Sequence, residues 1–341
     1  MSEVHLVLPN DIDDPATPSG GNTYDRRIIR ALTAAGWTVW EHAVPGSWPR
    51  PAPAERAGLA ARLATVGDND LVLVDGLVAS AAPDELAAHA GRLRLAILMH
   101  MPLGDDAERA AVASAATVIA TSEWTGRRLV ELYGLPAARV TVASPGVDPA
   151  PVTAPSDGGG RLLCVAAIVP GKGHDVLIEA LAAVADRPWT CVLVGSPTRD
   201  PAFAGRIRAA IAAPGLAGRV TMIGPRTGDG LAAAYAAADL LVLPSRGETY
   251  GMVLTEAFAR GIPVLVSDVG GVREALGPGP PPGLLVPPDD PVALAGALRA
   301  WLGDADLRER LCAAARDRRE SLATWADTAD RVATALSGVA A

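Results

Sequence analysis

Short apolar runs alternate with segments of helical periodicity along nearly the whole chain, and this pattern constrains the fold most. The runs are apolar at consecutive positions, which is typical of strands that are buried on both faces. Between them, segments such as 24–35 place apolar residues at helical spacing. The predicted strands are 4–8, 38–41, 71–74, 95–99, 117–121, 140–143, 162–166, 190–194, 220–223, 240–243, 264–266 and 284–286. Buried strands separated by helices predict an α/β fold with parallel sheets covered by helices on both faces.

The segment 145–160, PGVDPAPVTAPSDGGG, is the best linker in the chain because Pro and Gly interrupt both helices and strands. The 341 residues suit two domains of about 150 residues each. We therefore predict Rossmann-like domains at 1–150 and 160–320. The final segment, 321–341, is a predicted helix and a candidate to pack back on the first domain. Open parallel sheets bind ligands at the carboxyl ends of their strands, so we expect a site in the cleft between the domains.

Charge and cysteine content exclude several classes of function. The net charge is -8 and no Lys/Arg-rich block is present, which argues against nucleic acid or an anionic membrane as a partner. Cys164, Cys191 and Cys312 form no CxxC pair, so neither disulfides nor a zinc site is expected. The N-terminal residues lack the features of a signal peptide, and no apolar run approaches 18 residues. We therefore expect a cytoplasmic protein without a transmembrane segment.

The segment 248–256, ETYGMVLTE, follows the apolar run LLVLPS and opens a predicted helix at 251–260. A helix N-terminus presents free N–H groups and a partial positive charge, and Gly251 allows a phosphate to approach them closely. Glu248 precedes this helix, whereas Glu256 lies within it and can accept hydrogen bonds from a ribose diol. Without further context, the same pattern is compatible with a capping Glu and a surface Glu.

Candidate binding residues follow three other predicted strands. Lys172 lies in a glycine-flanked loop, where its ammonium could stabilise a diphosphate or simply be solvated. Gly20, Gly21 and Asn22 lie between the first strand and the first helix, where a Gly pair could cradle a phosphate or form a plain turn. His100 directly follows the run LAILM, at the carboxyl end of a strand, and is either a ligand-binding or a structural histidine.

The sequence ETYGMVLTEAFARGIPVLVSDVGGVRE resembles the E-x7-E region of retaining glycosyltransferase family 4. That family has the GT-B fold, in which two Rossmann-like domains face a central cleft. The resemblance implies that Glu248 faces the donor sugar, that Glu256 binds the nucleotide ribose, and that the backbone of 251–254 holds the diphosphate. It also implies that Gly20, Gly21 and Asn22 face the donor phosphate and the acceptor, and that His100 hydrogen-bonds and orients the sugar.

One motif departs from the family pattern. The sequence LCVAAIVPGKGHDVLIEAL resembles a region with G-R-x-x-x-x-K-G, in which Arg and Lys together clamp the diphosphate. Lys172 matches, but Ala167 stands at the Arg position. Arg226 is a candidate substitute, and His174 is a weaker candidate for a phosphate contact. The predicted catalytic residues are His100, Glu248 and Lys172. The predicted donor-binding residues are Gly20, Gly21, Asn22, Lys172, Arg226, Glu248, Tyr250, Gly251, Met252, Val253, Leu254 and Glu256.

The resemblance implies transfer of a hexose-type sugar from a UDP- or GDP-sugar to a hydroxyl acceptor, a small molecule or a glycan. It implies retention by front-side attack, without a covalent protein intermediate. No D-x-D motif lies at a strand end, so we expect neither a metal nor another cofactor. Three alternatives remain: a sugar-nucleotide epimerase or glycoside phosphorylase, an NAD-dependent dehydrogenase, and a non-catalytic nucleotide-sugar-binding relative. The incomplete glycine fingerprint disfavours the dehydrogenase. The sugar, the base, the acceptor and the oligomeric state are left open.

Overall fold

The computed structural model describes residues 2–340, which form twelve strands and fourteen α-helices. The strands are β1 Glu3–Pro9, β2 Thr38–Val44, β3 Leu71–Asp75, β4 Arg94–Met99, β5 Thr117–Ala120, β6 Val140–Val142, β7 Arg161–Val165, β8 Thr190–Val194, β9 Val220–Gly224, β10 Leu240–Leu243, β11 Val264–Ser267 and β12 Gly283–Val286. The helices are α1 Gly20–Ala34, α2 Pro53–Ala64, α3 Gly76–Ala81, α4 Pro83–Ala87, α5 Asp106–Ser114, α6 Glu123–Tyr133, α7 His174–Ala183, α8 Pro201–Ile211, α9 Gly228–Ala236, α10 Met252–Phe258, α11 Val272–Leu276, α12 Pro291–Gly303, α13 Ala305–Arg319 and α14 Trp325–Ala340.

The strands form two six-stranded sheets, and every predicted strand is present. The first sheet has the order β2-β1-β3-β4-β5-β6 and the second has the order β12-β11-β10-β7-β8-β9. All paired strands run parallel. The second order is that of a Rossmann fold, and the first is that of the related flavodoxin-like arrangement. The predicted fold class, parallel α/β sheets flanked by helices, is confirmed.

The chain divides into two compact units. Unit 1 comprises the residues up to 13, 20–146 and those from 323 onward, and unit 2 comprises 14–19 and 147–322. The chain therefore returns to unit 1 at its C-terminal end, where α14 packs against α1. Thr328 Oγ1 donates a hydrogen bond of 2.9 Å to Ser144 O, and Trp325 stacks edge-on against Tyr24. Within residues 2–340, none of the helices is long and apolar enough to cross a membrane.

The second sheet shows why consecutive apolar positions predicted these strands. Along β7, Leu162 and Cys164 belong to the core on one face, whereas Leu163 belongs to the core on the other. The same alternation divides β10, in which Leu240 and Leu241 face opposite cores. Because helices cover both faces, neither set of side chains faces water, and the period of two is hidden in a uniformly apolar run.

Candidate active site

In unit 2 the order of the second sheet reverses between β7 and β10. β7 continues toward β8 on one side, and β10 continues toward β11 on the other. The connections that follow these two strands therefore diverge, which leaves a crevice at their carboxyl ends. The residues after β7 include Lys172, and the residues after β10 include Glu248. Sequence positions 76 residues apart are thus adjacent at the point where ligands bind in sheets of this kind.

Lys172 and Glu248 form an ion pair at this switch point. The Lys172 ammonium donates to Glu248 Oε1, and Ser245 Oγ donates to the same oxygen at 3.0 Å. The Glu248 side chain is only 10% exposed, whereas that of Lys172 is 31% exposed. The ammonium has three donors, so it can keep Glu248 and still bind another anion. Lys172 is also the only lysine among the 30 lysine and arginine residues of the sequence.

Gly173 explains how the Lys172 turn comes so close to the end of β10. Residues Pro170–Lys172 form a short 3-10 helix that ends at Gly173, whose φ is +66°. A Cβ at this position would lie 2.0 Å from Pro244 O. Only glycine combines this left-handed conformation with such a close backbone approach. Gly173 is therefore a structural requirement for the pairing of Lys172 with Glu248.

Arg246 fastens the same turn from the β10 side, and sequence reasoning did not identify it. Its backbone N–H donates to Gly171 O at 2.9 Å. Its guanidinium donates to Pro170 O and forms two bonds of 3.0 Å to the Asp175 carboxylate. It also donates to Asp289 at 2.5 Å. Two carboxylates and a carbonyl accept hydrogen bonds from this guanidinium, and these bonds hold the Lys172 turn in place.

Glu256 lies in α10 and is held by Tyr235 of α9. The Tyr235 hydroxyl donates to Glu256 Oε2 at 2.7 Å. Burial and the nearby Glu256 raise the pKa of Tyr235 well above its usual value, so the phenol remains a hydrogen-bond donor. The Arg260 guanidinium lies 4.6 Å from the centre of the Tyr235 ring. Tyr235 was not singled out from the sequence, and in the structure it is fully buried.

The remaining predicted residues at this helix start divide into backbone and core. Gly251 has φ +91° and precedes α10, and no side chain among the described residues caps that helix. Leu254 and Tyr250 are buried in the core, and burial raises the pKa of Tyr250 to about 12. Met252 and Val253 are partly buried against the same core. Any contact of Tyr250 or Leu254 with a ligand therefore falls to their backbone.

Arg226 and His174 lie in settings that the sequence did not predict. Arg226 follows β9, an edge strand two positions from β7, and its guanidinium donates to the neighbouring Pro225 O. His174 is fully buried, with Nε2 3.8 Å from Cys164 Sγ. Its Nδ1 has no hydrogen-bond partner in the described part of the chain. Burial lowers the pKa of His174 to about 4, so this weaker candidate for a phosphate contact is a neutral residue of the core.

Unit 1 holds a second group of polar residues around His100, which follows β4. His100 Nε2 lies 2.8 Å from Asp25 Oδ1 on α1 and 3.6 Å from Asp75 Oδ2 at the end of β3. Asp75 also caps α3 by accepting from Leu77 N–H at 2.9 Å. Both carboxyl groups are buried, and the His100 side chain is 18% exposed. Neither aspartate was identified from the sequence.

The predicted Gly loop at 20–22 is the first turn of α1 rather than a separate loop. Gly21 lies against His100: a Cβ there would be 3.3 Å from the ring atom Cδ2. Asn22 Nδ2 donates to Asp11 O at 3.4 Å. Tyr24 packs edge-on against the same imidazole, with ring centres 5.2 Å apart. Gly21 therefore leaves room for His100 at the start of α1.

Sequence comparison decides the family. The model for glycosyl transferases group 1 matches residues 151–318, and the model for glycosyltransferase family 4 matches residues 70–151. The chain belongs to the group 1 glycosyltransferase family. The D-inositol 3-phosphate glycosyltransferase of Jonesia denitrificans is 37% identical over 242 residues, which cover 65% of this chain and 57% of that protein. The protein of the same name from Geodermatophilus obscurus is 36% identical over 252 residues, 68% and 55% respectively.

The chain spans a little over half the length of these group 1 relatives. Solved structures agree on the fold. The sucrose-phosphate synthase from Thermosynechococcus elongatus has a TM-score of 0.80 at 24% identity and is covered at 98%, as is this chain. The structure of Anabaena HepE with UDP-glucose has a TM-score of 0.78 at 20% identity, covering 99% of this chain and all of that one. The fold of this family member is therefore GT-B.

Proposed function

We propose that this protein transfers a hexose-type sugar from a UDP- or GDP-sugar to a hydroxyl acceptor, with retention of anomeric configuration and without a metal. The Lys172–Glu248 pair at the switch point of the second sheet carries this proposal. It combines a partly exposed ammonium with a nearly buried carboxylate, which suits a ligand that has an anionic diphosphate next to a polyhydroxylated sugar. Family membership supports the same reaction class.

The proposed chemistry needs positioning and charge rather than a protein nucleophile. The acceptor oxygen forms a bond to the anomeric carbon on the face from which the diphosphate departs, and the bond from that carbon to the diphosphate breaks. The leaving diphosphate takes the acceptor proton. Lys172 stabilises the charge that grows on the diphosphate, and Glu248 accepts a hydrogen bond from the sugar. Glu256 binds the ribose, and His100 keeps the sugar-orienting role that the family resemblance implies.

A panel of nucleotides in a thermal-shift assay tests the donor, because a ligand stabilises the state that it binds. UDP, GDP and ADP should separate into one stabilising nucleotide and two weak ones, and the matching sugar nucleotide should stabilise as well. Incubation of that donor with candidate acceptors, D-inositol 3-phosphate first, should yield a glycoside with the donor's anomeric configuration by NMR. If the donor is not consumed and no glycoside forms with any acceptor in the panel, the proposed transfer is contradicted.

The single lysine provides a specific test of the diphosphate contact. An amine-acetylating reagent should modify Lys172 and abolish transfer, and saturating nucleotide diphosphate should protect it. Mass spectrometry separates this adduct from acetylation of the N-terminal amine. Lys172→Ala should weaken nucleotide binding at least about tenfold by calorimetry, and Lys172→Arg should not restore it, because a guanidinium is larger and planar. Arg299→Ala, which removes a surface pair with Asp186, is the control. Unchanged nucleotide affinity in Lys172→Ala contradicts the proposed contact.

The proposed metal independence has its own measurement. Transfer by the purified protein should continue at its full rate after treatment with EDTA and removal of the chelator. Activity that disappears with EDTA and returns with magnesium would overturn this part of the proposal, while leaving the assignment of the donor nucleotide intact.

A further inference from the structure

Two buried aspartates and a partly buried histidine, each from a separate element, meet in unit 1. Asp25 comes from α1, Asp75 from the end of β3, and His100 from the residue after β4. The relative exposures of the two aspartate side chains are 1% and 4%. A carboxylate in such a setting is costly unless a cation or hydrogen-bond donors satisfy it. The imidazole of His100 can supply such a cation when it is protonated, since its Nε2 lies 2.8 Å from Asp25 and 3.6 Å from Asp75.

The contacts also determine which ring nitrogen remains for a ligand. A carboxylate oxygen only accepts hydrogen bonds, so Nε2 must carry a proton to bond Asp25. The two oxygens of Asp75 are divided: Oδ1 accepts from the backbone of α3, and Oδ2 faces His100. Tyr24 covers the ring edge-on, and Gly21 leaves space beside it. Among residues 2–340, no side chain or backbone group bonds to Nδ1, and the ring keeps 18% exposure.

The surroundings of His100 favour its protonated form. Burial lowers the pKa of His100, but Asp25 and Asp75 together outweigh burial, so its pKa lies above the usual value. Burial and the proximity of Asp25 raise the pKa of Asp75 to about 7. Within residues 2–340, these two aspartates are the acidic groups that shift the pKa of the ring, and Tyr24 adds a phenol whose pKa burial raises well above its ordinary value. A neutral imidazole could donate from only one nitrogen, whereas an imidazolium donates from both.

We propose that Asp25 and Asp75 are positioning residues that keep His100 as an imidazolium, with Nε2–H bound to Asp25 and Nδ1–H presented to the donor substrate. His100 then acts as a charged donor toward an oxygen of the sugar or its phosphate. Asp25 supplies the direct bond, and Asp75, in its ionised form, adds a second negative charge without blocking Nδ1. This inference rests on the proposed function and adds the protonation state and the tautomer that the reaction uses.

NMR titration of the imidazoles tests the protonation state without requiring turnover. The chain has five histidines, and His100→Asn identifies the signal of His100. In the wild type this imidazole should titrate above about 6.5, the ordinary value. Asp25→Asn keeps an oxygen that can accept from Nε2 but removes the charge, so the midpoint should fall by at least about one pH unit. Asp75→Asn retains the cap of α3 and should lower the midpoint less.

A matched control uses the other aspartate that lies beside a histidine in unit 1. Asp70 is 3.6 Å from His5 and its side chain is 47% exposed, so Asp70→Asn should leave the His100 midpoint unchanged. Far-UV circular dichroism establishes that each variant is folded. If Asp25→Asn does not fold, the Asp75→Asn titration decides the question. A His100 midpoint that is the same in the wild type and in a folded aspartate variant overturns the inference.

The pH dependence of transfer separates positioning from a general structural role. The wild-type kcat/KM should fall on the alkaline side as His100 loses its proton, and in Asp25→Asn this limb should move toward lower pH. A merely structural role would lower kcat/KM at every pH without moving the limb, which would contradict the inference. The two proposals fail differently. Absence of transfer by the wild type rejects the proposed function, whereas an unmoved limb in an active Asp25→Asn variant rejects the role of the aspartates.

Discussion

At the scale of single residues, the role of Glu248 depends on its charge. Its Oε1 accepts from both Lys172 and Ser245, so an amide at this position would keep much of the shape and lose the anion. We expect Glu248→Gln to lower kcat about 100-fold or more, the effect of removing one preorganised electrostatic contact. Glu309→Gln, an exposed change on α13, is the control for a surface glutamate. A folded Glu248→Gln variant with a near-wild-type rate would reject the sugar-facing role.

The site residues could be predicted from the sequence, but the side chains that hold them in place could not. Glu248, Glu256 and Lys172 could be selected because each lies in a short motif next to a predicted strand. Their fixing partners could not, because the contacts of Arg246 and Tyr235 depend on strand order and on helix packing across the sheet. Asp25 and Asp75 carry no local signal at all: each lies in an ordinary helix or strand, and only the order β1-β3-β4 of the first sheet brings them to His100.

At the scale of secondary structure, the turn that carries Lys172 depends on Gly173. Gly173→Ala would place a methyl group 2.0 Å from Pro244 O in a left-handed conformation, so the turn must move away from the end of β10. We expect a loss of at least about 2 kcal/mol in the free energy of unfolding. Nucleotide affinity should fall as well, because Lys172 moves with the turn. Differential scanning calorimetry and nucleotide titration measure the two effects.

Gly171 offers a matched control in the same turn. An added Cβ at Gly171 meets no atom within 4 Å, and its carbonyl can still accept from Arg246 N–H. Gly171→Ala should therefore leave both stability and affinity close to wild type. Equal losses in the two variants would mean that the turn is sensitive to any side chain, and the specific requirement at Gly173 would be wrong.

The strands, which are buried on both faces, were predicted well from the sequence, whereas the first and last residues of helices were predicted less well. The twelve strands follow from burial, which the sequence records directly as runs of apolar residues. The first helix was expected at 24–35 but α1 begins at Gly20, and Gly21 in its first turn packs beside His100. The helix expected at 251–260 ends at Phe258 instead, and Gly261 then adopts φ +68°. The first difference involves a tertiary contact, whereas the second is a local cap in which Gly261 N–H donates to Phe258 O and Ile262 N–H donates to Ala257 O.

At the scale of the whole molecule, the two units should respond to acid in opposite directions. Unit 2 contains a single histidine, His174, whose folded pKa of about 4 lies below the ordinary value of about 6.5. Between these values the unfolded chain binds a proton that the folded unit does not, so stability is present above pH 6.5 and is lost as the pH falls toward 4. In unit 1, Asp75 has a folded pKa of about 7 against an ordinary value near 3.9. Its contribution is present below pH 3.9 and is lost as the pH rises through 7.

Calorimetry between pH 7.5 and 5 should therefore show one unfolding transition moving down and another moving up as the pH falls. Variants assign the two transitions to the units. His174→Gln removes the buried imidazole, so the downward shift should largely disappear, while Asp75→Asn should suppress the upward shift. His89→Gln is the control, because His89 is partly exposed and bonded to Arg92 at the surface of unit 1. If His174→Gln keeps the full acid-induced loss, then a group other than the buried histidine governs the pH response of unit 2. Such a result would also remove the argument that His174 is a neutral core residue rather than a phosphate ligand.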